Sequence, residues 1–387
     1  MSASVILLLS VCVYLAIGVP VAFALGLSTI TALLVSGSFP LIVLLKETFT
    51  GIDSFPLMAV PFFILAAELM SGGSLTEVLL KFAGQFVGHR RGGLGYTNVV
   101  SLTFFSGISG SALADAAGPG AMMIRMMDKA GYSRSYAAAL TAATAIVGPI
   151  IPPSIIMIIY ALADDRVSVG ALFVAGLVPG VLIAVAMCVV NWKVSRERNY
   201  KGDGEHPTRD EIIRTTWMAM PAILLPVLIL GGMRAGWFTP TEAAVVAVFY
   251  GLFVGMCIHR TIRVKDLFVI LRESGELSAI ILLVVSLAGI FAWSLSTLGV
   301  IDPLTNAIVN SGLGEYGVLS LLILMLITVG MFLDGVSIFL IFVPLLMPIV
   351  TYYKWDPVWF GVILTLKVAL GQFTPPLAVN LMVSCRI

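Results

Sequence analysis

The chain has 387 residues, of which 59% are hydrophobic and only 11% charged, with a net charge of +1. A soluble domain carries about a quarter charged residues, so this is a polytopic membrane chain, and its near-zero net charge gives no electrostatic footing for nucleic acid. Cys12, Cys188, Cys257 and Cys385 stand singly in or beside apolar segments, which reads as small buried hydrophobes and not as a C-x-x-C redox or metal site.

The first apolar run, Val5–Val35, starts without a basic n-region or an A-x-A cleavage site and reads as a retained membrane segment. Gly18 and Pro20 interrupt it, so one long kinked helix or two short ones both fit. Residues 95–125 follow a different plan: two half-length apolar arms flank the polar tip "SGISGS". That is the pattern of a re-entrant hairpin, whose non-helical tip is tolerated only when buried in protein or lining a wet cavity. Ala139–Ala163 then contains "IVGPIIPPSI", where Pro149, Pro152 and Pro153 each remove a backbone donor. In lipid no water repairs such a break. Ala171–Trp192, Thr216–Met233, Ala243–Ile258 and Ile280–Val300 approach or exceed the length of a hydrocarbon core. Residues 316–351 repeat the hairpin plan around "GMFLDGVS", and 358–382 carry a second broken span at "GQFTPPL".

Lys and Arg cluster at "HRRGG", at "RMMDKAGYSR", across 193–214 and across 259–272, which the positive-inside rule places in the cytoplasm. The loops 231–241 and 299–316 hold only Arg234 and read as external. The first hairpin therefore enters from the cytoplasm, and the second, with only Lys354 at its base, from outside. One constant offset carries Gly107 to Gly330, Gly148 to Gly371, and Pro152–Pro153 to Pro375–Pro376. The chain repeats itself upside down, the pattern that points to a binding site in secondary transporters. By the same offset the partner of 171–192 falls beyond Ile387, so a further helix is expected there.

The expected fold is an all-α polytopic membrane protein with two re-entrant helical hairpins and two broken transmembrane helices in inverted repeat. Residues 1–55 supply N-terminal scaffold helices and an interfacial arm, and 56–192 the first repeat, with hairpin 95–130 and broken helix 135–163. A cytoplasmic loop, 193–215, leads to scaffold helices and a second arm, 216–275. Residues 276–387 form the second repeat, with hairpin 316–351 and broken helix 357–385. Two tips and two breaks would meet near the midplane. Unwound carbonyls and helix C-termini suit a hard cation such as Na⁺, and half-helix N-termini suit an anion.

The stretch "FFSGISGSALADAAGPGAMMIRMMDKAGYSRSYAAALTAATAIVGPIIPPS" resembles the large membrane subunit, DctM or SiaM type, of the tripartite ATP-independent periplasmic (TRAP) transporters. "GMFLDGVSIFLIFVPLLMPI" and "TLKVALGQFTPPLAVNLMV" look like the matching motifs of its second half. The resemblance implies an elevator-type, Na⁺-driven importer of organic acids in a bacterial inner membrane. It also implies two partners, a small four-helix membrane subunit and a periplasmic substrate-binding protein. No G-x-x-x-x-G-K-[ST] is present, in keeping with an ion gradient and not ATP as the driving force.

Carried over residue by residue, the resemblance implies two or more sodium ions. One would lie among Ser106, Ser109, Gly148, Ile151 and Pro153, and another among Gly330, Asp334, Gly371, Thr374 and Leu377. The substrate would lie near Ser111, Pro152, Ser154, Pro376 and Asn380. Asp115, an intramembrane carboxylate, either serves substrate or ion or braces the hairpin. Arg125 departs from the motif, where many relatives have proline. It either snorkels to the cytoplasmic surface, the favoured reading, or pairs with a substrate carboxylate. Lys367, inside the last span, is left open. Sialic acid and C4-dicarboxylates lead the substrate classes, with a lean to sialic acid.

Two rivals come from other classes. A channel needs a continuous polar pore, whereas the polar groups here gather at tips and breaks. An intramembrane hydrolase needs a base, and His89, His206 and His259 lie in or near polar loops without H-E-x-x-H or G-x-S-x-G. A sodium- or proton-coupled anion transporter of another inverted-repeat family, working without a binding protein, is the remaining alternative.

Overall fold

The computed structural model describes residues 3–37, 40, 42–71, 75–164, 166–202, 207–376 and 378–387, and these form helices and connections without a strand. The first apolar run resolves into two helices, α1 (Ala3–Ala16) and α2 (Val21–Ser36), packed side by side. Gly18 takes φ +85° in the turn, a conformation glycine adopts without cost, and Pro20 sits at the N-cap of α2, outside the helix it would break.

Next come α3 (Ile42–Thr50), bent 63° against the following helical segment, α4 (Ala59–Ser71) and α5 (Leu75–Val87). Leu75, Val78, Leu79 and Phe82 bury one face of α5, which leaves Lys81 and Gln85 on its polar side. The first hairpin is α6 (Gly93–Ser109), α7 (Ala112–Asp115), a wide π-turn at 116–120 and α8 (Ala121–Lys129). Pro119 falls within that wide turn, where its missing donor is accommodated. The first broken span is α9 (Arg134–Ala145), nine non-helical residues at 146–154, and α10 (Ile155–Ala163).

Four long helices follow: α11 (Val169–Glu197), α12 (Arg209–Arg234), α13 (Pro240–Phe253, continued by a wide turn to Ile258) and α14 (Val264–Thr297). All four are long and apolar enough to cross a membrane. The basic stretch 193–214 is shorter as a loop than its charge suggests. α11 runs on to Glu197, and Thr208 with Glu211 forms a capping box that starts α12. The chain closes with α15 (Ile301–Val309), a second hairpin of α16 (Gly314–Gly330) and α17 (Gly335–Tyr352), and a second broken span of α18 (Pro357–Gly371) and α19 (Val379–Arg386).

Packing runs crosswise between the halves. α10 lies on α17 and α19 lies on α9, so the far arm of each break rests on an element of the other half. Tyr160 and Phe339 meet edge to face at 6.0 Å across the first of these seams, and Tyr160 Oη donates to the Pro357 carbonyl at 2.7 Å. α14 packs against α2, α3, α4 and α17. Along α11, Val178, Leu182, Val185 and Val189 remain exposed, an apolar stripe suited to lipid.

Candidate functional site

Each hairpin tip touches its own break. Gly110, at φ +63°, ends α6, and a side chain there would strike the Pro153 carbonyl. A Cβ on Gly148 would come within 2.8 Å of Asp115 Oδ2 and 2.9 Å of the Ala112 amide nitrogen. In the second half, a Cβ on Gly330 would sit 3.0 Å from the Gly371 Cα. Gly107, the counterpart of Gly330, stands against Pro226 of α12, and its Cβ would lie 3.6 Å from the Pro152 carbonyl. The glycines that relate the halves are therefore points where backbone meets backbone or proline, which no larger residue permits.

Both breaks leave carbonyls unspent. Those of Gly148, Ile151, Pro152 and Pro153 accept no hydrogen bond from any described residue, nor do those of Thr374, Pro375 and Pro376. The peptide bonds Pro152–Pro153 and Pro375–Pro376 are both cis. Side chains at the breaks are committed locally. Ser154 Oγ donates to the Pro149 carbonyl at 2.6 Å and accepts from the Met157 amide, capping α10. Thr374 Oγ1 donates to the Leu370 carbonyl at 2.7 Å, which leaves its lone pairs open.

Asp115 is fully buried. Ser106 Oγ lies 2.7 Å from its Oδ2, and Ser109 Oγ bonds its Oδ1. Both reach across the tip, so Asp115 ties the end of α6 to α7. Ser111 caps α7 by accepting from the Ala114 amide, and Asp334 caps α17 by accepting from the Ser337 amide at 3.1 Å and from the Ser337 hydroxyl. Ile151 packs its side chain on Gly180 of α11, leaving only its main chain for a ligand role. Asn380 is 1% exposed; its amide donates to the Gln372 carbonyl at 3.2 Å, and its Nδ2 reaches no acceptor among the described residues. Thr374 is half-buried and Pro376 exposed. Arg125 is exposed on α8, ten residues beyond Asp115 and about 15 Å of helix away. Lys367 is half-buried and forms no ion pair among the described residues. Leu377 and His206 lie outside the described residues.

The two tips face a cavity of about 200 Å³. Its wall is built from the first residues of three helices: Ala112 and Leu113 of α7, Ile155 and Ile156 of α10, Gly335 and Val336 of α17. Ser111 and Asp334, the caps of α7 and α17, line it too. Helix N-termini present amide N–H groups and the positive end of the peptide dipoles, so this wall favours an anion although it carries no Lys or Arg. Of the residues expected from sequence, the cavity gathers Ser111 and Asp334, while Pro152, Ser154, Pro376, Asn380 and Arg125 do not line it. The rest of its lining was not singled out as site residues, Pro149, Gln372, Gly335 and Ile281 among it. Gln372 carried a signal, as a polar residue beside Thr374 inside "GQFTPPL"; Ile281, on the distant α14, carried none.

Residues 8–387 match the family described as tripartite ATP-independent periplasmic transporter, DctM component. The sialic acid TRAP transporter large permease SiaM of Vibrio cholerae is 35% identical over 96% of this chain and 86% of its own length. The isethionate TRAP transporter permease DctMQ of Oleidesulfovibrio alaskensis is 34% identical over 97% of this chain, which spans 59% of that protein's length. Among solved structures, the YdaH transporter of Alcanivorax borkumensis shares the fold. The TM-score is 0.58 over 89% of this chain and 80% of that one, at 15% identity.

Proposed function

Because the chain belongs to the DctM family of TRAP transporter large permeases, and so is a transporter component and not an enzyme, we propose that it carries an organic acid inward on a Na⁺ gradient. The observation that carries this reading is the pairing of two carbonyl-rich breaks with two hairpin tips around one cavity walled by helix N-termini. Carbonyl and hydroxyl oxygens suit Na⁺, and the N-termini suit the acid's anionic group. The first ion lies between the first tip (Ser106, Ser109) and the main chain of Gly148, Ile151 and Pro153. The second lies between Gly330 and Asp334 on one side and Gly371, Thr374 and Leu377 on the other.

Asp334 gives the ions a coupling role. A carboxylate lining the substrate cavity repels an incoming anion until a cation neutralises it. Sodium therefore binds before the acid. The two hairpins are re-entrant from opposite sides, and the tips and breaks move as one body past the scaffold helices in an elevator step. Ile281 of α14 is the one residue of the described cavity lining that lies outside the tips and breaks. A small four-helix subunit and a periplasmic substrate-binding protein complete the system. The acid belongs to the class of sialic acid, isethionate or the C4-dicarboxylates. The first two are named in relatives of similar identity, and the third is the other class the motifs imply.

The test is uptake into proteoliposomes holding this chain, the small subunit and the binding protein, with each acid under an inward Na⁺ gradient. Concentrative, saturable uptake that stops when Na⁺ is replaced by K⁺ is expected. Uptake that ignores Na⁺ and follows a proton gradient would refute the ion assignment. Non-saturating flux would mark a channel.

A further inference from the structure

Away from the transport site, a cleft of about 600 Å³ opens between α5 and the start of α12. Lys81, Gly84, Gln85 and Gly88 form one wall, at the spacing of a single helix face. Arg214, Thr215 and Met218 form the other, and His89 lies at the end of the cleft. Gln85 Nε2 bridges the walls, donating to Thr215 Oγ1 at 2.7 Å and to the Glu211 carbonyl at 3.1 Å. Gly84 on α5 and Gly88 just past its end put no side chain into this wall.

The charges in this cleft are not spent on one another. Neither Lys81 nor Arg214 forms an ion pair among the described residues. Among the described residues the one carboxylate lining the cleft, Glu211, is turned onto the helix cap, where it accepts from the Thr208 amide at 2.8 Å and from the Thr208 hydroxyl at 2.9 Å. Two exposed cations, Lys81 and Arg214, thus face the cleft at a helix junction. Continuing from the cleft wall, α12 presents Met218, 44% exposed, and Trp217, 77% exposed, as an apolar surface, and tryptophan is a residue type enriched at membrane–water interfaces. The charge bias of the sequence puts this end of α12 on the cytoplasmic side.

We propose that the α5–α12 cleft binds the phosphate headgroup of an anionic phospholipid, with Lys81 and Arg214 as its cationic donors and the acyl chains lying along Trp217 and Met218. Basic pockets between membrane helices on the cytoplasmic side recognise such headgroups, and the exposed tryptophan beside the cleft distinguishes a lipid from a free phosphate. The site fastens the amphipathic α5 to the membrane surface and is independent of the Na⁺ and substrate sites.

The test is native mass spectrometry of the purified full chain titrated with phosphatidylglycerol, phosphatidylethanolamine or inorganic phosphate. Phosphatidylglycerol is expected to be retained in preference to phosphatidylethanolamine, and Lys81→Gln/Arg214→Gln to weaken it about thirtyfold, at roughly one kcal/mol for each of the two basic residues. Arg209→Gln, outside the cleft, is the control and leaves retention unchanged. If the double variant does not fold, the single Lys81→Gln variant and high salt on the unaltered protein are each expected to weaken phosphatidylglycerol selectively. Equal retention by variant and unaltered protein overturns the proposal. So does equal binding of the two lipids, or displacement of phosphatidylglycerol by inorganic phosphate alone.

Discussion

Gly148→Ala tests the junction of the first tip with the first break. The added Cβ would stand 2.8 Å from Asp115 Oδ2, 2.9 Å from the Ala112 nitrogen and 2.9 Å from the Ser111 carbonyl carbon. Two of these are main-chain atoms and cannot rotate away. Each contact is roughly half an ångström short of ordinary van der Waals separation, so the tip must back off by about that much. Overpacking of this kind costs about 1–3 kcal/mol. Gly148 lies in a turn and not in a helix, so no gain in helix propensity offsets the cost. A shift of about half an ångström exceeds the ~0.2 Å tolerance of cation–ligand distances. The Na⁺ concentration for half-maximal uptake should therefore rise about tenfold, equivalent to about 1.4 kcal/mol, with a lower melting temperature. Gly118→Ala, in the same hairpin but with nothing within 4 Å of its Cβ, is the matched control. Proteoliposome uptake across a Na⁺ series, beside a thermal melt in detergent, reads both effects. If Gly148→Ala matches Gly118→Ala in Na⁺ dependence and melting, the tip and the break do not meet as described.

Thr374→Val removes a hydroxyl whose proton is given to the Leu370 carbonyl and whose lone pairs remain open; half-maximal uptake should then need more Na⁺, and an unchanged curve removes Thr374 from the ligands. Pro152→Ala with Pro153→Ala favours helix by about 3 kcal/mol per residue; freed carbonyls return to helical bonds, so melting should hold or rise while Na⁺-driven uptake is lost, and normal uptake would reduce these prolines to kinks. Topology is tested in a cysteine-free background with Arg91→Cys and Tyr316→Cys, since Gly92 is packed against Ser195 and accepts no side chain; labelling from the same face ends the inverted-repeat reading. Asp164 is held below the usual carboxylate range by its hydrogen bonds from Arg166, the closest at 2.8 Å. A depressed folded value means its stabilisation is present above the unfolded pKa of about 3.9 and lost as pH falls through the folded value. Melting should be insensitive to this pair from neutral pH down to about 4, and Asp164→Asn should remove the extra loss found below that.

Much of this architecture was legible because membrane physics makes interruptions conspicuous. A Pro-Pro or Gly-Ser within an apolar run is costly, so each marks a place where backbone is satisfied otherwise. Gly107 with Gly330 and Gly148 with Gly371 were findable by offset alone, and all four sit at close contacts with backbone or proline. The tips were less legible in extent. "SGISGS" reads as a non-helical loop, yet α6 continues to Ser109 and only Gly110 and Ser111 leave the helix. Serines at 106 and 109 remain helical because their hydroxyls are occupied, by Asp115 for both and also by the Leu102 carbonyl for Ser106, and do not compete for neighbouring amides. The contribution of Ile281 was hidden because it depends on how α14 crosses the tips, a tertiary fact that no local pattern encodes.

The cavity wall explains why a transporter for acids can lack a basic side chain where the acid would lie. An Arg or Lys there would pair with the nearest carboxylate, Asp334, and the site would be neutral before any ion arrived. Helix N-termini offer partial positive charge that is fixed in place and cannot swing to Asp334. Under the Na⁺ coupling proposed above, a bound cation supplies the missing whole charge. Neutralisation of Asp334 and attraction of the substrate then become one event, which is what coupling uptake to a Na⁺ gradient requires. A lysine introduced at Gln372, beside the tip at Gly335, would supply that charge permanently. Acid binding should then become less dependent on Na⁺ while concentrative uptake falls. Binding measured with and without Na⁺ on Gln372→Lys separates the two, and unchanged Na⁺ dependence of binding would show that Asp334 does not set the order.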